Sequence, residues 1–374
     1  MKRSTRMLFA VLAATTVGMG AGVQAGMGDV TINGFGHQSY LKTDTNQYIT
    51  SNSSDGSFDD FVLGLTFTAK VNDKIRVRSQ IVNDLGGIRL DWGFGEYNFN
   101  DNFGFKVGKV KLPAGLQTET QDVKALQPFA FLPQPLYGSG VNSYTGAGLF
   151  AGTELENGFS GEVEVFVGKS TADQYTFAAP IEFTDFIGGR LMVTTPVPGL
   201  RFGGAFVSTK FTLALPEVTG IDMTTDPPSP IVAYIDREMD VRIPLGFVEY
   251  VGDRLFVRGE YAQFDLDYHK SPTYYVEAGY LITPVFQPVA RYTHGEVNDI
   301  TNDLLAMSNA ARGITDDMTE IAFGLNVFLG SGMVVKAEYH AFDGSAELDQ
   351  QTFDRNAVVD DKWNMMAAQV AFMF

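Results

Sequence analysis

The residues of this sequence that could do chemistry are charged side chains spaced two apart within apolar segments. Arg76 and Arg78 are separated by one residue, and so are Glu162 and Glu164. Side chains alternate between the two faces of a β-strand, so this spacing puts like charges on one face. If that face lines water, opposed basic and acidic groups set a transverse field that orders dipolar solutes and sorts ions. The candidate lining residues are Arg76, Arg78, Arg89, Arg190, Arg258, Arg291, Lys336, Glu162, Glu164 and Glu260.

For any single member of this set, a salt bridge that only satisfies a buried charge is the plainer interpretation. For the whole set, a wet and charged interior follows, because Arg or Lys facing lipid costs about 2–4 kcal/mol at the bilayer midplane. Basic and acidic side chains fall on the same face, and Glu277 and Glu338 join them by the same count. The sequence therefore leaves open whether anions or cations are preferred.

Catalytic motifs are absent from the sequence. The chain has four histidines and no cysteine, which excludes thiol catalysis and thiolate metal sites. It contains neither a G-x-S-x-G nucleophile elbow nor a GxxxxGK[ST] phosphate loop. We predict that the protein is not an enzyme and that it binds no cofactor or metal ion as part of its function.

The amino terminus predicts a secretory signal peptide over residues 1–25. Lys2, Arg3 and Arg6 give a positive start, residues 7–17 are apolar, and Val23-Gln24-Ala25 offers the small residues of a cleavage site. The formal net charge of −17 argues against nucleic acid as a partner. We expect an exported chain whose folded part is a single domain over residues 26–374.

After residue 26 the apolar residues recur with a period of two, which is typical of β-strands. Phe61, Leu63, Leu65 and Phe67 alternate with polar or small residues, for example. Runs of this kind predict an all-β protein, a transmembrane antiparallel β-barrel of about sixteen strands, with fourteen or eighteen as the counting error. The predicted strands are 29–41, 58–70, 74–84, 88–98, 103–112, 142–154, 159–169, 183–195, 200–213, 237–250, 254–267, 272–282, 285–296, 317–329, 333–342 and 363–374.

Tight turns and long loops alternate along the chain. Val71-Asn72-Asp73, Glu156-Asn157-Gly158 and Gly330-Ser331-Gly332 are tight turns with turn-forming residues. A soluble β-sandwich would also show period-two strands, but it needs no such alternation of connection lengths. We therefore favour a barrel whose short turns share one end. The predicted long connections are 42–57, 113–141, 170–182, 214–236, 297–316 and 343–362.

The connection 113–141 is a candidate constriction loop. It carries Glu119, Asp122 and Lys124, and its run 128–133 is unusually apolar for an exposed loop. Burial against the inner wall of the barrel would explain this composition, and packing against a neighbouring protomer is the alternative. A long structured loop usually has a role, which favours an inward fold that narrows the bore.

The last strand resembles the assembly signal of bacterial outer-membrane proteins, because Met366, Ala368, Val370 and Phe372 alternate and Phe374 ends the chain. With the signal peptide, the strand count and the long third loop, the chain resembles the Gram-negative porins. The segment 107–116 is also similar to porins allied to the phosphate- and carbohydrate-selective types.

This resemblance implies an outer-membrane location reached through the periplasm and passive diffusion of small hydrophilic solutes or ions. It also implies a homotrimer, contact with lipid and lipopolysaccharide, and recognition of Phe374 by the barrel-assembly machinery. A non-conducting adhesion or binding barrel is the alternative, and an outer-membrane hydrolase is less favoured. The acidic loops 297–317 and 343–361 could bind divalent cations or be merely solvated.

Two details of register complete the prediction. Phe105, Val107, Val110 and Leu112 are all expected to face outward, which demands a β-bulge near Gly108 or Lys109. Aromatic girdles are expected where the barrel meets the two membrane interfaces. Their predicted members are Trp92, Tyr97, Phe99, Tyr274, Tyr280 and Phe374.

Overall fold

The computed structural model describes residues 23–25, 28–138, 141–172, 181–222, 224, 229–266, 269–296, 312–346, 348 and 358–374. Residues 1–22 of the predicted signal peptide lie outside the described residues, as does most of the acidic segments 297–317 and 343–361. The described part of the chain contains no helix with the length and apolar character needed to cross a bilayer.

Sixteen antiparallel strands of the described chain form one closed sheet, as predicted. Each strand from β2 to β17 pairs with the next, and β17 returns to pair with β2. A short strand, β1, pairs with the start of β2 and lies within the predicted signal peptide. The strands are β1 Val23–Ala25, β2 Gly28–Thr43, β3 Ser57–Lys70, β4 Ile75–Asp84, β5 Gly87–Asn100, β6 Phe103–Lys111, β7 Ser143–Glu154, β8 Ser160–Ala172, β9 Ile181–Thr194, β10 Leu200–Asp222, β11 Ser229–Val251, β12 Leu255–Leu266, β13 His269–Tyr280, β14 Phe286–Glu296, β15 Asp317–Phe328, β16 Met333–Gly344 and β17 Lys362–Met373.

The two faces of the sheet have opposite character, as β15 illustrates. Phe323 exposes 59% of its surface, whereas the neighbouring Ala322 is fully buried. Ile321 and Leu325 share the exposed outer face, while Glu320 is buried on the inner face. An exposed apolar skin on the outside of a closed sheet is what a hydrocarbon environment requires.

Glycine and phenylalanine lie opposite each other on neighbouring strands, and each aromatic ring covers its glycine. At Gly104, a Cβ atom would lie 2.5 Å from Cζ of Phe150. The ring thus occupies space that only glycine leaves free, a pairing that covers an otherwise bare backbone. This arrangement accounts for part of the high content of glycine and phenylalanine. The pairs are Phe35–Gly64, Phe150–Gly104, Phe166–Gly188, Phe247–Gly203, Phe256–Gly279, Phe372–Gly36 and Phe374–Gly34.

The predicted loop 214–236 is wrong over most of its length, because β10 and β11 continue into it. Their pairing runs from Leu200↔Tyr250 to Asp222↔Ser229, with one irregularity between Val218 and Gly220. Beyond Phe211, the described pairing of β10 is with β11 alone. Residues 231–235 are rich in β-branched and aromatic residue types, which favour strand geometry in this two-stranded ribbon.

The bulge predicted near Gly108 is also wrong. β6 pairs with β7 without a register shift from Phe103↔Ala151 to Lys111↔Ser143. Val110 faces inward and is 2% exposed, because an apolar cluster inside the barrel receives it. Trp92 belongs to this cluster and not to a girdle. Leu112 is buried in it as well.

The other predicted girdle residues lie differently from Trp92. Phe99, Tyr274, Tyr280 and Phe374 are exposed. Tyr97 stacks on Phe105 with ring centroids 5.6 Å apart. Phe99, Tyr280 and Phe374 lie at or next to the ends of their strands, where membrane interfaces favour aromatic side chains, whereas Tyr274 lies in the middle of β13.

The two faces of β3 give a test of this architecture. Leu65 lies on the exposed apolar face, and Thr66 lies on the opposite face, paired with Gln80. We expect Leu65→Lys to lower the free energy of unfolding from lipid vesicles by about 2–4 kcal/mol. Thr66→Lys is the matched control and should cost less than half as much. Equal losses in urea titrations of the two variants would contradict the assignment of inside and outside.

Candidate functional site

A long loop between β6 and β7, residues 112–142 and called here the inner loop, runs through the interior of the barrel. It contains a 3-10 turn, Lys124–Leu126, and one short helix, α1, Gln134–Tyr137. Its described residues bond to inward-facing side chains on strands from β4 to β16. A loop outside the cylinder could not reach these partners. The predicted loop 113–141 matches this segment.

The first attachment of the inner loop is the carboxylate of Glu260 on β12. This carboxylate accepts hydrogen bonds from the hydroxyl of Tyr275 at 2.6 Å, from the backbone N–H of Leu116 at 2.8 Å, and from the hydroxyl of Tyr137. Gly115, just before Leu116, has a φ of 76°, a conformation that favours glycine. A Cβ atom there would lie 2.5 Å from Oε2 of Glu260, so glycine is required twice over.

The second attachment is the ammonium group of Lys336 on β16. It donates to the backbone carbonyls of Lys124 at 2.7 Å, Gln127 at 2.8 Å and Phe129 at 3.2 Å. Lys336 is 1% exposed, so these carbonyls replace its hydration. One side chain thereby fixes the backbone of the loop at three points.

The apolar run 128–133, called here the apex, is buried against the same wall. The carboxylate of Glu338 accepts the N–H of Ala130 at 2.6 Å, and Arg291 donates to the carbonyl of Phe131 at 2.7 Å. The guanidinium of Arg291 also lies 4.5 Å from the ring centroid of Phe129. Burial within its own barrel explains the apolar composition of this run without a neighbouring protomer.

Behind the loop, acidic and basic side chains alternate along the inner wall from β10 to β16, and we call this row the wall ladder. Its central member, Arg291, lies 2.9 Å from Glu320 and 3.9 Å from Glu277. Removing one partner of such a buried pair typically costs about 3–5 kcal/mol, because the other charge is left unpaired. The ladder therefore holds its strands and the loop in one arrangement. Its members are Arg201, Glu249, Arg258, Glu277, Arg291, Glu320, His340 and Glu338.

On the opposite wall, Glu119 of the inner loop faces a basic surface. Its carboxylate lies 2.7 Å from Arg190 on β9. The Glu119 side chain is half exposed, and desolvation inside the barrel raises the pKa of its carboxyl, but Arg190, Lys106 and Arg78 lower this pKa more, so it stays below its ordinary value. Glu119 is therefore ionised where β4, β6 and β9 present positive charge. Lys106 in turn lies 2.9 Å from Glu164.

Asp122 and Lys124 have different surroundings. Asp122 lies 2.5 Å from the ammonium of Lys111 and accepts a hydrogen bond from Gln80 at 3.0 Å. Burial lowers the pKa of the Lys124 ammonium below its ordinary value, although the carboxylates of Asp60, Asp122 and Glu338 oppose this. Among the described residues, no carboxylate lies within 4 Å of Lys124. Asp122 thus ties the loop to β6, and the Lys124 ammonium is a cation without a close counter-ion.

The other predicted lining residues separate into two groups. Arg76 is half exposed and lies 3.5 Å from Glu96, and Arg78 has no carboxylate of the described chain within 4 Å. Glu162 is also exposed, whereas Arg89 pairs with Asp84 beside the β4–β5 turn. In contrast, Glu260, Arg291 and Lys336 are covered by the inner loop and do not line open water. The prediction that these residues line the bore is therefore kept only for the exposed group, Arg76, Arg78 and Glu162.

Sequence reasoning missed several partners of the loop. Lys111 sits between Asp91 and Asp122, and Gln117 donates to the hydroxyl of Tyr275 at 2.6 Å. Asp91 falls at a register shift between β4 and β5, where simple alternation fails. Gln117 has no strand periodicity to place it. The described residues contain no group of three or more His, Asp or Glu side chains arranged to hold a metal ion.

Comparison with known proteins gives a likeness in structure only. No protein-family model matches the sequence, and no curated protein matches it. OmpF of Salmonella typhi superposes with a TM-score of 0.60 at 11% identity, covering 94% of this chain and all of that one. An anion-selective porin from Comamonas acidovorans gives 0.56 at 11%, over 92% and 99%. OmpT, an outer membrane protein of Vibrio cholerae, gives 0.59 at 14%, over 95% and 100%.

The attachment at Glu260 can be tested through Gly115. We expect Gly115→Ala to displace the amide of Leu116 from Glu260 and to loosen the inner loop. Lys124 is the only trypsin site in the loop, so cleavage after Lys124 in the folded protein reports the release. Gly95→Ala is the control, because a Cβ atom there meets nothing within 4 Å. Equal resistance of the two variants to trypsin would show that this attachment does not hold the loop.

Proposed function

The chain has the barrel fold of the Gram-negative outer-membrane porins, and we propose that it is itself such a porin. In this proposal, small hydrophilic solutes or ions diffuse passively across the outer membrane through the bore. The observation that carries the proposal is the inner loop, which crosses a closed barrel and places Glu119 opposite the basic residues of β4, β6 and β9. Barrels of this strand number leave an aqueous channel unless something fills it.

The charges near Glu119 would select solutes as they pass. Arg76, Arg78 and Glu162 retain exposed or half-exposed side chains on this wall. Opposite charges across a narrow aqueous path create a field that orders dipolar solutes and sorts ions. The buried groups of the wall ladder neutralise one another and contribute mainly to holding the loop.

Location and assembly follow from the same proposal. The exposed apolar skin would face the hydrocarbon of the outer membrane, with the short turns on the periplasmic side. A homotrimer, export by a signal peptide, contact with lipopolysaccharide and recognition of Phe374 by the assembly machinery remain predictions.

One observation favours a second candidate, a barrel that conducts nothing. Trp92, Phe94, Tyr144, Phe166 and Phe186 form an apolar cluster inside the wall of β5–β9, where an open bore would be polar. A barrel filled in this way could serve adhesion or binding through its loops. Steady current through a planar bilayer containing the purified protein would support the pore, and a complete lack of current would support the filled barrel.

Ion selectivity is expected to depend on Arg78. Its guanidinium lies 5.9 Å from the ring centroid of Phe94 and has no close carboxylate among the described residues. Arg78→Glu should shift the reversal potential in a salt gradient toward cation selectivity, because a charge on the conduction path changes sign. Arg89→Glu is the control, since Arg89 pairs with Asp84 near the β4–β5 turn. An unchanged reversal potential in the Arg78 variant would remove this wall from the conduction path.

Channel size is expected to depend on Lys336. Lys336→Met removes the donor that binds three loop carbonyls, so the loop should leave the wall and the single-channel conductance should change. Loss of these charge-assisted bonds should also lower stability by about 1–3 kcal/mol, seen in urea titration. Lys362→Met is the control, because Lys362 is exposed and its ion pair among the described residues is with the exposed Asp343 at 3.4 Å. A variant that loses stability but keeps the conductance of the control would show that the loop does not limit flow.

A further inference from the structure

The imidazole of His340 on β16 lies between two carboxylates beneath the apex of the inner loop. Its Nδ1 is 2.6 Å from Oε1 of Glu320, and its Nε2 is 3.1 Å from Oε2 of Glu338. His340 is fully buried. Ionised carboxylates only accept hydrogen bonds, and a neutral imidazole carries a single N–H. Both contacts are hydrogen bonds only when both ring nitrogens carry hydrogen.

The Glu338 carboxylate connects this ring to the loop. While Oε2 contacts His340, Oε1 accepts the backbone N–H of Ala130 at 2.6 Å. Ala130 is fully buried, so its N–H has no solvent to turn to if the carboxylate moves. The protonated ring thus orients Glu338, and Glu338 holds the apex.

We propose that His340 is a positioning residue whose doubly protonated ring clasps the apex of the inner loop against the wall. Loss of one ring proton sets a nitrogen lone pair against a carboxylate oxygen. The carboxylate of Glu338 then turns away, Ala130 loses its acceptor, and the apex separates from the wall. The loop is therefore held at lower pH and released as the pH rises. The inference deepens the proposed porin function, because it names how that pore is regulated.

The charged groups around the ring are consistent with this direction. Glu320 approaches from β15, and Arg291 of β14 lies 2.9 Å from Glu320. Lys336 lies on the same strand as His340, and Lys124 of the inner loop faces Glu338. On β17, the residue paired with His340 is the uncharged Met365. Glu277 of β13 is one step further, 3.9 Å from Arg291.

Arg291 remains charged while the ring titrates, because arginine keeps its proton well above the range of histidine. Arg291 and Lys336 already have other contacts in the structure, Arg291 with the carbonyl of Phe131 and Lys336 with three loop carbonyls. None of these contacts replaces the donor that Glu338 loses at Nε2. The proton on Nε2 of His340 is therefore the one whose loss removes this donor from Glu338, and a step caused by the Lys336 ammonium would persist in His340→Gln.

The test measures amide hydrogen exchange of the segment 128–133 in the intact protein, from about pH 5 to about pH 9, after correction for the intrinsic exchange rate. In the wild type we expect protection of the Ala130 amide to fall about tenfold across this range, as the loss of one charge-assisted hydrogen bond predicts. Single-channel conductance should change over the same pH interval.

Two variants separate the clasp from a general loss of structure. His340→Gln cannot titrate, so its protection should be independent of pH. Glu338→Gln keeps an acceptor for Ala130 and adds an amide donor for the unprotonated ring, so its protection should stay high throughout. His294→Gln is the control, since His294 lies beside Tyr274 on the outer face and should leave the wild-type step unchanged.

A wild type without a step, or a step that persists in His340→Gln and in Glu338→Gln, overturns the proposal. If His340→Gln does not fold, the Glu338→Gln profile decides alone. Hydrogen exchange does not depend on conduction, so the two hypotheses fail separately. A clear step in a protein that passes no current would refute the pore and keep the clasp.

Discussion

The structure depends on one constraint, the pairing of every backbone N–H and C=O in a medium without water. Hydrocarbon offers no alternative partner, so a sheet exposed to it must close on itself. Closure occurs where β17 meets β2, and the backbones of Gly34 and Phe374 exchange hydrogen bonds of 2.8 Å in both directions. The last residue of the chain thereby completes the ladder of the first long strand. This closure makes the wall continuous, and the inner loop and the wall ladder are both attached to that wall.

Along the inner face of β10–β16, buried ion pairs connect the strands, whereas an apolar cluster packs against the inner face of β5–β9. The wall ladder joins seven neighbouring strands through alternating cations and anions, and its members are largely buried. Coulombic attraction is strong in such a low-dielectric setting, but desolvation offsets much of it. The wall ladder therefore contributes mainly by specifying one arrangement of the strands. Lys336, Arg291 and Glu338 use their remaining bonding capacity to hold the inner loop.

The strands could be predicted from sequence because alternate residues of a barrel strand face hydrocarbon and the barrel interior, which require apolar and polar side chains respectively. Tight turns were readable for a similar reason: Gly158, Gly199 and Gly330 all adopt positive φ in the short connections. The extended ribbon of β10 and β11 was not predicted, because Pro216 and Gly220 interrupt its strand pattern. Alternation also failed at Val110 and Trp92, since an apolar cluster on the inner face imitates a lipid-facing one.

The candidate site was predictable in composition and only partly in geometry. The face of the sheet on which a side chain lies follows from its position in the alternation, and Arg190, Arg258 and Glu164 all make ion pairs on the inner face. Which of them meets water and which meets the loop depends on the path of the inner loop, residues 112–142, and no local sequence pattern encodes that path. Lys111 and Gln117 were missed for this reason, whereas Asp91 was missed because it falls at a register shift between β4 and β5.

The glycine–phenylalanine pairs make substitutions at two positions, distant in sequence, depend on each other. A larger residue at Gly104 would collide with the ring of Phe150, and a smaller residue at Phe150 would leave a hollow over bare backbone. Neither change is neutral alone, yet an exchange at both positions can restore the filled volume. In related barrels, the two positions of such a pair should therefore change together. Correlated substitutions on adjacent strands would then reveal the strand register even among relatives with little overall sequence identity.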